Sequence, residues 1–191
     1  LDAARSLSAH DVAHRVALSG VWQLPFGRDR LWGSNWNRGL DLALGGWSVS
    51  GLFSRQSGLP LSVTQSGGQI WDGTQRPDLI GDPSTSGRIQ DRLNNYLNPA
   101  AFSQPAADVP GTAPRTLNYR GPAVQIFDAV LMKSFSVRNE QRLEVRIEAQ
   151  NVLNHPIFSE PPVSNPSNMA FGSTTFGQIT TTKVGARQMM V

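Results

Sequence analysis

Cysteine is absent from the 191 residues. That excludes a disulfide framework, a thiolate metal site and cysteine nucleophile chemistry. Charge is scarce as well: Asp, Glu, Lys and Arg make up 16% of the chain, against about a quarter in an ordinary globular protein. Lysine occurs only at Lys133 and Lys183, and arginines such as Arg5, Arg15, Arg28, Arg30, Arg38, Arg55, Arg76 and Arg88 are scattered. With a net charge of +3 and no basic face, nucleic acid is not an expected partner. Long apolar runs are missing too, because the uncharged stretches are full of Gly, Ser, Thr and Pro, so no segment reads as a membrane helix. The first fifteen residues lack an initiating Met and the layout of a signal peptide, and they read as the interior of a longer protein. What is plentiful is 18 Gly and 13 Pro, too many for a helical bundle and without the period of collagen.

Five segments carry a strand-like pattern, 14–24, 47–63, 125–135, 142–153 and 175–183. In the first, Val16, Leu18, Gly20, Trp22 and Leu24 share one face, and Pro25 ends the run. The second starts after Gly45-Gly46 with Trp47, Val49, Gly51 and Phe53 on one face, is interrupted by a bulge at 56–58 and resumes with Leu59, Leu61 and Val63. In the third, Phe127, Ala129, Leu131 and Phe135 share a face broken by Lys133, and a short turn follows at Val137-Arg138-Asn139-Glu140. The fourth is the clearest: Leu143, Val145, Ile147 and Ala149 alternate with Arg142, Glu144, Arg146, Glu148 and Gln150. On a helix those charges would surround the axis; on a strand they give one apolar and one polar face. Residues 187–191 read as a last strand that stops early.

The fold class expected is therefore all-β. It is an antiparallel meander of about four long barrel-type strands plus a truncated last strand, with long Pro/Gly/Asn-rich loops, and it is an incomplete barrel on its own. The stretch 64–124 shows no sustained period, and a structureless loop of that length is functional or disordered. Strands of about 9 to 11 alternating residues suit a tilted membrane barrel strand. A short turn on one side and long loops on the other suit the periplasmic and outer ends of such a barrel. Trp22, Phe26, Trp47 and Phe135 fall near strand ends, as an interface girdle requires. Arg142, Glu144, Arg146, Glu148 and Gln150 are candidate lumen residues, with Arg and Glu expected to form cross-strand ion pairs. Leu143, Val145, Ile147, Ala149, Trp22, Trp47 and Phe53 are the candidate lipid or packing face. By period alone a soluble β-sandwich alternates in the same way.

Several runs resemble the closing part of TonB-dependent outer-membrane receptors of the Oar-like type, the acidobacterial kind with a carboxypeptidase-regulatory-like leader. They are Asp11-Val12-Ala13-His14-Arg15-Val16, Trp22-Gln23-Leu24-Pro25-Phe26-Gly27, Leu44-Gly45-Gly46-Trp47 and Gln56-Ser57-Gly58-Leu59-Pro60. Arg76-Pro77-Asp78-Leu79, Asn98-Pro99-Ala100-Ala101-Phe102, Arg120-Gly121-Pro122, Asn151-Val152-Leu153-Asn154-His155-Pro156 and Phe176-Gly177-Gln178 continue the likeness in order along nearly the whole chain. The resemblance implies a barrel of about 22 strands that imports a bulky substrate. The family's plug and energy-coupling box have no counterpart here, nor does its terminal aromatic residue. An open sheet of about four strands leaves edges at 14–24 and 142–153 and one greasy face. The expected partners are the remaining strands of a larger barrel or copies of the chain itself, with outer-membrane lipid also possible. The substrate stays unknown. The expected location is the outer membrane of a Gram-negative bacterium, or the exterior if copies pair edge to edge into a filament or tube. A soluble carbohydrate-binding β-domain is the remaining alternative.

Enzyme chemistry finds no foothold. His10 and His14 sit four apart but lead into a strand without a third zinc ligand. His155 precedes Pro156 as a turn residue. Gly172 to Gly177 is followed by Gln178 rather than the lysine of a phosphate loop. Asp72, Asp78 and Asp82 lack EF-hand spacing, and no nucleophile elbow occurs. No catalytic residue, cofactor or metal is expected.

Overall fold

Alternation and turn chemistry decide the elements. The computed structural model describes residues 5–28, 30–67, 74–138 and 141–191, with backbone alone at 136–138 and 164. Its strands are β1 (Arg15–Gln23), β2 (Trp47–Gln56), β3 (Thr64–Gln65), β4 (Asp78–Leu79), β5 (Phe102–Ser103), β6 (Val124–Arg138), β7 (Gln141–Gln150), β8 (Ile157–Phe158), β9 (Ala170–Phe171), β10 (Thr182–Val184) and β11 (Gln188–Met190). Two helices join them, α1 (Arg38–Leu44) and α2 (Pro161–Ser164). The chain divides into two units, one of 16–55, 125–156 and 185–191, the other of the residues up to 15 with 56–124 and 157–184.

The first unit is a five-stranded antiparallel meander in the order β1-β2-β6-β7-β11. β6 pairs with β7 from Ala129↔Ala149 to Ser136↔Arg142, with an irregularity before Arg138↔Gln141. The tip of this hairpin, Asn139 and Glu140, lies outside the described residues. Leu24 N–H donates to Trp47 O at 2.9 Å and Ser134 N–H to Gly46 O at 2.9 Å, which fixes β1 on β2 and β2 on β6. Gly46 has φ +70°, and a Cβ there would stand 2.4 Å from Ser134 O, so only glycine lets β2 enter this close to β6. The all-β meander of four long strands and a short last one is thus the observed fold.

Some expected boundaries move. β2 stops at Gln56, and Leu61 and Val63, expected to prolong it to 63, are instead 2% and 1% exposed in the core of the second unit. Past Gln56 the chain runs so close to 121 that a Cβ at Gly58 would meet Gly121 O at 1.8 Å, so only glycine fits there. The segment 175–183 is mostly turn, and only Thr182–Val184 is strand, paired with β8. β6 runs longer than 125–135, and β7 ends at Gln150 instead of 153. β7 is not a bare edge throughout, because β11 covers Gln150, Ala149 and Glu148.

The second unit is where the long loop goes. The stretch expected to lack structure folds with 157–184 around Leu61, Val63, Tyr96, Leu97, Phe102, Leu117, Met169, Phe176 and Ile179. Phe102 from the first connection meets Phe176 edge-on with centroids 5.6 Å apart, and Phe171 meets Phe176 at 5.7 Å. Such pairs add about 0.5–1.5 kcal/mol each beyond burial. Backbone ties cross between the connections: β3 pairs parallel with β9, Tyr96 N–H donates to Gly177 O at 2.9 Å, and Ile179 N–H to Leu93 O at 2.7 Å. Short strands and turns satisfy the backbone where Pro and Gly forbid long ladders. Periodicity missed this core because its apolar residues come singly from many turns.

Candidate wall and polar face

Register assigns the faces. Residues directly opposite across a ladder point the same way. Leu131↔Ile147, Lys133↔Val145 and Phe135↔Leu143 therefore place the odd residues of β6 and β7 on one face, with Ala129↔Ala149 completing it. Leu18, Trp22, Val49, Phe53 and Phe127 line one apolar hollow on the same parity, and Trp47 joins them through β2. Leu143, Val145, Ile147, Ala149, Trp22, Trp47 and Phe53 thus share a single face. Trp22 and Leu18 are 62% exposed and Leu143 is 56% exposed, while Trp47, Phe53, Ile147 and Ala149 are half-buried. Every hydrophobic side chain buried among the described residues belongs to the second unit, and none to the five strands of the sheet.

Lys133 interrupts that face, and its surroundings explain how. It is 5% exposed. Its ammonium donates to Gly45 O at 2.5 Å and Ala43 O at 3.2 Å, and lies 4.7 Å from the Trp47 ring and 4.9 Å from that of Phe135. A buried charge needs such partners. α1 supplies the carbonyls. Asn37 caps its start by accepting from Leu40 N–H at 2.8 Å, and Gly45 N–H closes its end on Asp41 O. Trp47 Nε1 also donates to Ala43 O at 3.0 Å. Trp22, Phe26, Trp47 and Phe135 gather at this turn end of the sheet.

The opposite face carries Ser48, Ser50, Ser54, Asp128 and Ser134 with Arg142, Glu144, Arg146, Glu148 and Gln150. It is less purely polar than the fourth segment suggests, since Val21 (75% exposed), Leu52, Val130 and Met132 lie on it. Among the described residues the expected cross-strand ion pairs do not form. Glu144 faces Ser134, Arg146 faces Met132 and Glu148 faces Val130, so Arg146 pairs along its own strand with Glu148 at 2.5 Å. Beyond β7 the chain turns on Asn151, which holds φ 50°. Its side chain accepts from His155 N–H at 3.1 Å and donates to His155 O, and its own N–H donates to Asp128 at 2.8 Å. Asn151, Asn154 and His155 therefore serve the turn, as their spacing suggests.

The second unit offers polar groups of its own. Arg120 holds Asp11 through an ion pair and donates to Asp11 O at 2.6 Å. Arg92 donates to Tyr119 Oη at 2.8 Å and stacks 4.8 Å over Tyr96, whose hydroxyl donates to Arg120 O at 2.7 Å. Burial, reinforced by Tyr119, pushes the Tyr96 phenol well above its ordinary range. Ser84 donates to Asp82 from its backbone and its hydroxyl and holds that carboxyl below its ordinary range. Glu160, 5% exposed, is held by Lys183 at 2.8 and 3.0 Å. Asp72 lies outside the described residues. Among the described residues no three His, Asp or Glu side chains group as a metal site, and His10 and His14 are exposed.

The chain matches the family model described as an outer membrane beta barrel domain over residues 1–190. No curated protein and no solved structure matches it.

Proposed function

The chain belongs to the outer membrane beta barrel domain family, and from that premise we propose that it is a stretch of wall with outer loops from a TonB-dependent, Oar-like transporter for a bulky substrate. The observation that carries this reading is the division of apolar burial. Among the described residues the sheet buries no hydrophobic side chain fully, while the loops build a core of their own. In water each exposed apolar Å² costs about 25 cal/mol, so a face of this kind suits lipid. β2 and β7 have ten residues each, about 33 Å of rise, and cross a hydrocarbon layer even when tilted. The connections 57–123 and 151–187 leave one end and 24–46 with the β6–β7 hairpin leaves the other, with the longer pair on the side expected to be outside. On this reading the second unit is the surface that meets substrate outside a Gram-negative cell.

The absence of cysteine makes the test clean. Single cysteines go at Ser50 and Arg146 on the polar face and at Val49 and Val145 on the apolar face of the protein in outer-membrane vesicles. A water-soluble maleimide is expected to label the first pair and spare the second. Equal labelling of both faces removes the wall. Transport is tested separately by formaldehyde cross-linking in cells of the longer receptor that carries this stretch, with an adduct to the inner-membrane energy-coupling protein as the expected result and its absence as the refutation.

A second reading has one observation in its favour. Among the described residues β1 pairs only with β2, and β11 only with β7, so both edges stand open. Identical chains adding edge to edge give a filament or tube. Electron microscopy of culture supernatant distinguishes the two, since fibres of this one polypeptide support assembly and their absence leaves the wall.

A further inference from the structure

At the turn end of the sheet, Arg28, Arg30, α1, Gly45, Gly46 and the adjoining ends of β2, β6 and β7 line an open cavity of about 500 Å³, the size of a small-molecule site. Its lining is rich in one charge. Among the described residues, Arg28, Arg30, Arg38 and Arg142 line it together with the acids Asp41 and Glu144. Lys133 is also at the lining, but its ammonium is taken by the carbonyls of Ala43 and Gly45. None of the four guanidiniums is in an ion pair among the described residues. Arg28 Nε donates to Trp36 O at 3.0 Å and Arg30 Nη1 to Gln23 Oε1 at 2.9 Å. These neutral acceptors orient the forks without cancelling their charge. Asp41 accepts the backbone N–H of Arg28 at 2.9 Å, so part of its carboxylate is already engaged.

Planar guanidinium forks bind oxyanions two hydrogen bonds at a time. We propose that this cavity is a binding site for a small polyvalent oxyanion, a molecule bearing phosphate or carboxylate groups. The proposal rests on the wall reading, under which Gln23, Ser48, Ser134 and Glu144 of the lining face the lumen, Trp47, Lys133 and Phe135 belong to the other face, and the site wraps the periplasmic end of the wall. An anionic cargo would there exchange its water for arginine before release.

Calorimetry on the purified protein in detergent tests it, with pyrophosphate and citrate as separate probes. One of them is expected to bind once per chain, and about ten-fold more weakly in Arg38→Gln and in Arg142→Gln. Binding by pyrophosphate alone assigns phosphate chemistry, and by citrate alone carboxylate chemistry. Arg88→Gln, whose partner Asp91 lies in the second unit, is expected to bind like the parent. Arg142→Lys keeps the charge but loses the fork, and is expected to bind more weakly than the parent and more tightly than Arg142→Gln, which guards against misfolding of Arg142→Gln. Failure of both probes, or affinity unchanged in Arg38→Gln and Arg142→Gln, overturns the site. If the polar face still takes maleimide, the site falls alone; if the two faces label alike, the wall falls with it.

Discussion

Tyr96 shows what a single residue contributes to the loop unit. Its ring is 2% exposed, and its hydroxyl is spent on Arg120 O. Burial favours the neutral phenol, so its folded ionisation lies above the unfolded value of about 10. A group raised in this way stabilises fully below about pH 10, and the contribution is lost as pH climbs from there toward the folded value. Absorbance at the phenolate band should therefore show Tyr96 silent at pH 10.5 in the folded protein and titrating at once in denaturant. A normal titration in the folded state would contradict the burial. Glu160 and Lys183 make a second residue-level case. Lys183→Met strands a carboxylate that is 7% exposed in its side chain, and should cost about 1–3 kcal/mol in denaturant melts of the loop unit. Lys183→Met combined with Glu160→Gln should recover much of that loss. Neither partner was legible in the sequence, because they stand 23 positions apart and the intervening turns bring them together.

At the scale of elements, the long strands were legible and the loop unit was not. β7 announced itself by strict alternation of Leu143, Val145, Ile147 and Ala149 with charges, a signal of period two that needs no tertiary context. The core of the second unit has no such period. Leu97 and Phe102 flank a turn, and Met169, Phe176 and Ile179 each enter from a different bend, so only the folded chain assembles them. The site at the turn end was half legible. Arg142 and Glu144 stood out on β7, but Arg28, Arg30 and Arg38 looked like scattered surface charge until α1 folded back against Lys133. Substitutions should separate the two units. Leu97→Ala, at a side chain with 0% exposure, should cost about 2–5 kcal/mol and expose 56–124 to limited proteolysis while β1, β2, β6 and β7 stay protected. Val145→Lys should cost about 2–4 kcal/mol of bilayer stability if it lies at mid-depth, and far less in detergent-free buffer. A Leu97→Ala protein cleaved inside β2 or β7 as fast as in 56–124 would show that the units do not melt separately.

Across the whole molecule, two economies of burial coexist in one chain. The sheet relies on its surroundings for its apolar face, while the loop unit supplies its own interior. Denaturation monitored by tryptophan fluorescence should report mainly the sheet and the 24–46 connection, since Trp22, Trp32, Trp36 and Trp47 all lie there. Ultraviolet absorbance of Tyr96 and Tyr119 should report the loop unit. Two transitions are expected in bilayers, with only the fluorescence transition moving when lipid chain length changes. A single transition seen by both probes would mean that the units unfold together.

The shared interior of the two long connections also constrains how this protein can diversify. Phe102 comes from one and Phe171 and Phe176 from the other, and β3 lies against β9 across the same divide. Neither connection can be exchanged, shortened or grafted by itself without leaving half an aromatic cluster in water. Natural variants and chimaeras that change 56–124 should survive only with matching changes in 157–184, so the loop unit evolves as a pair of inherited halves.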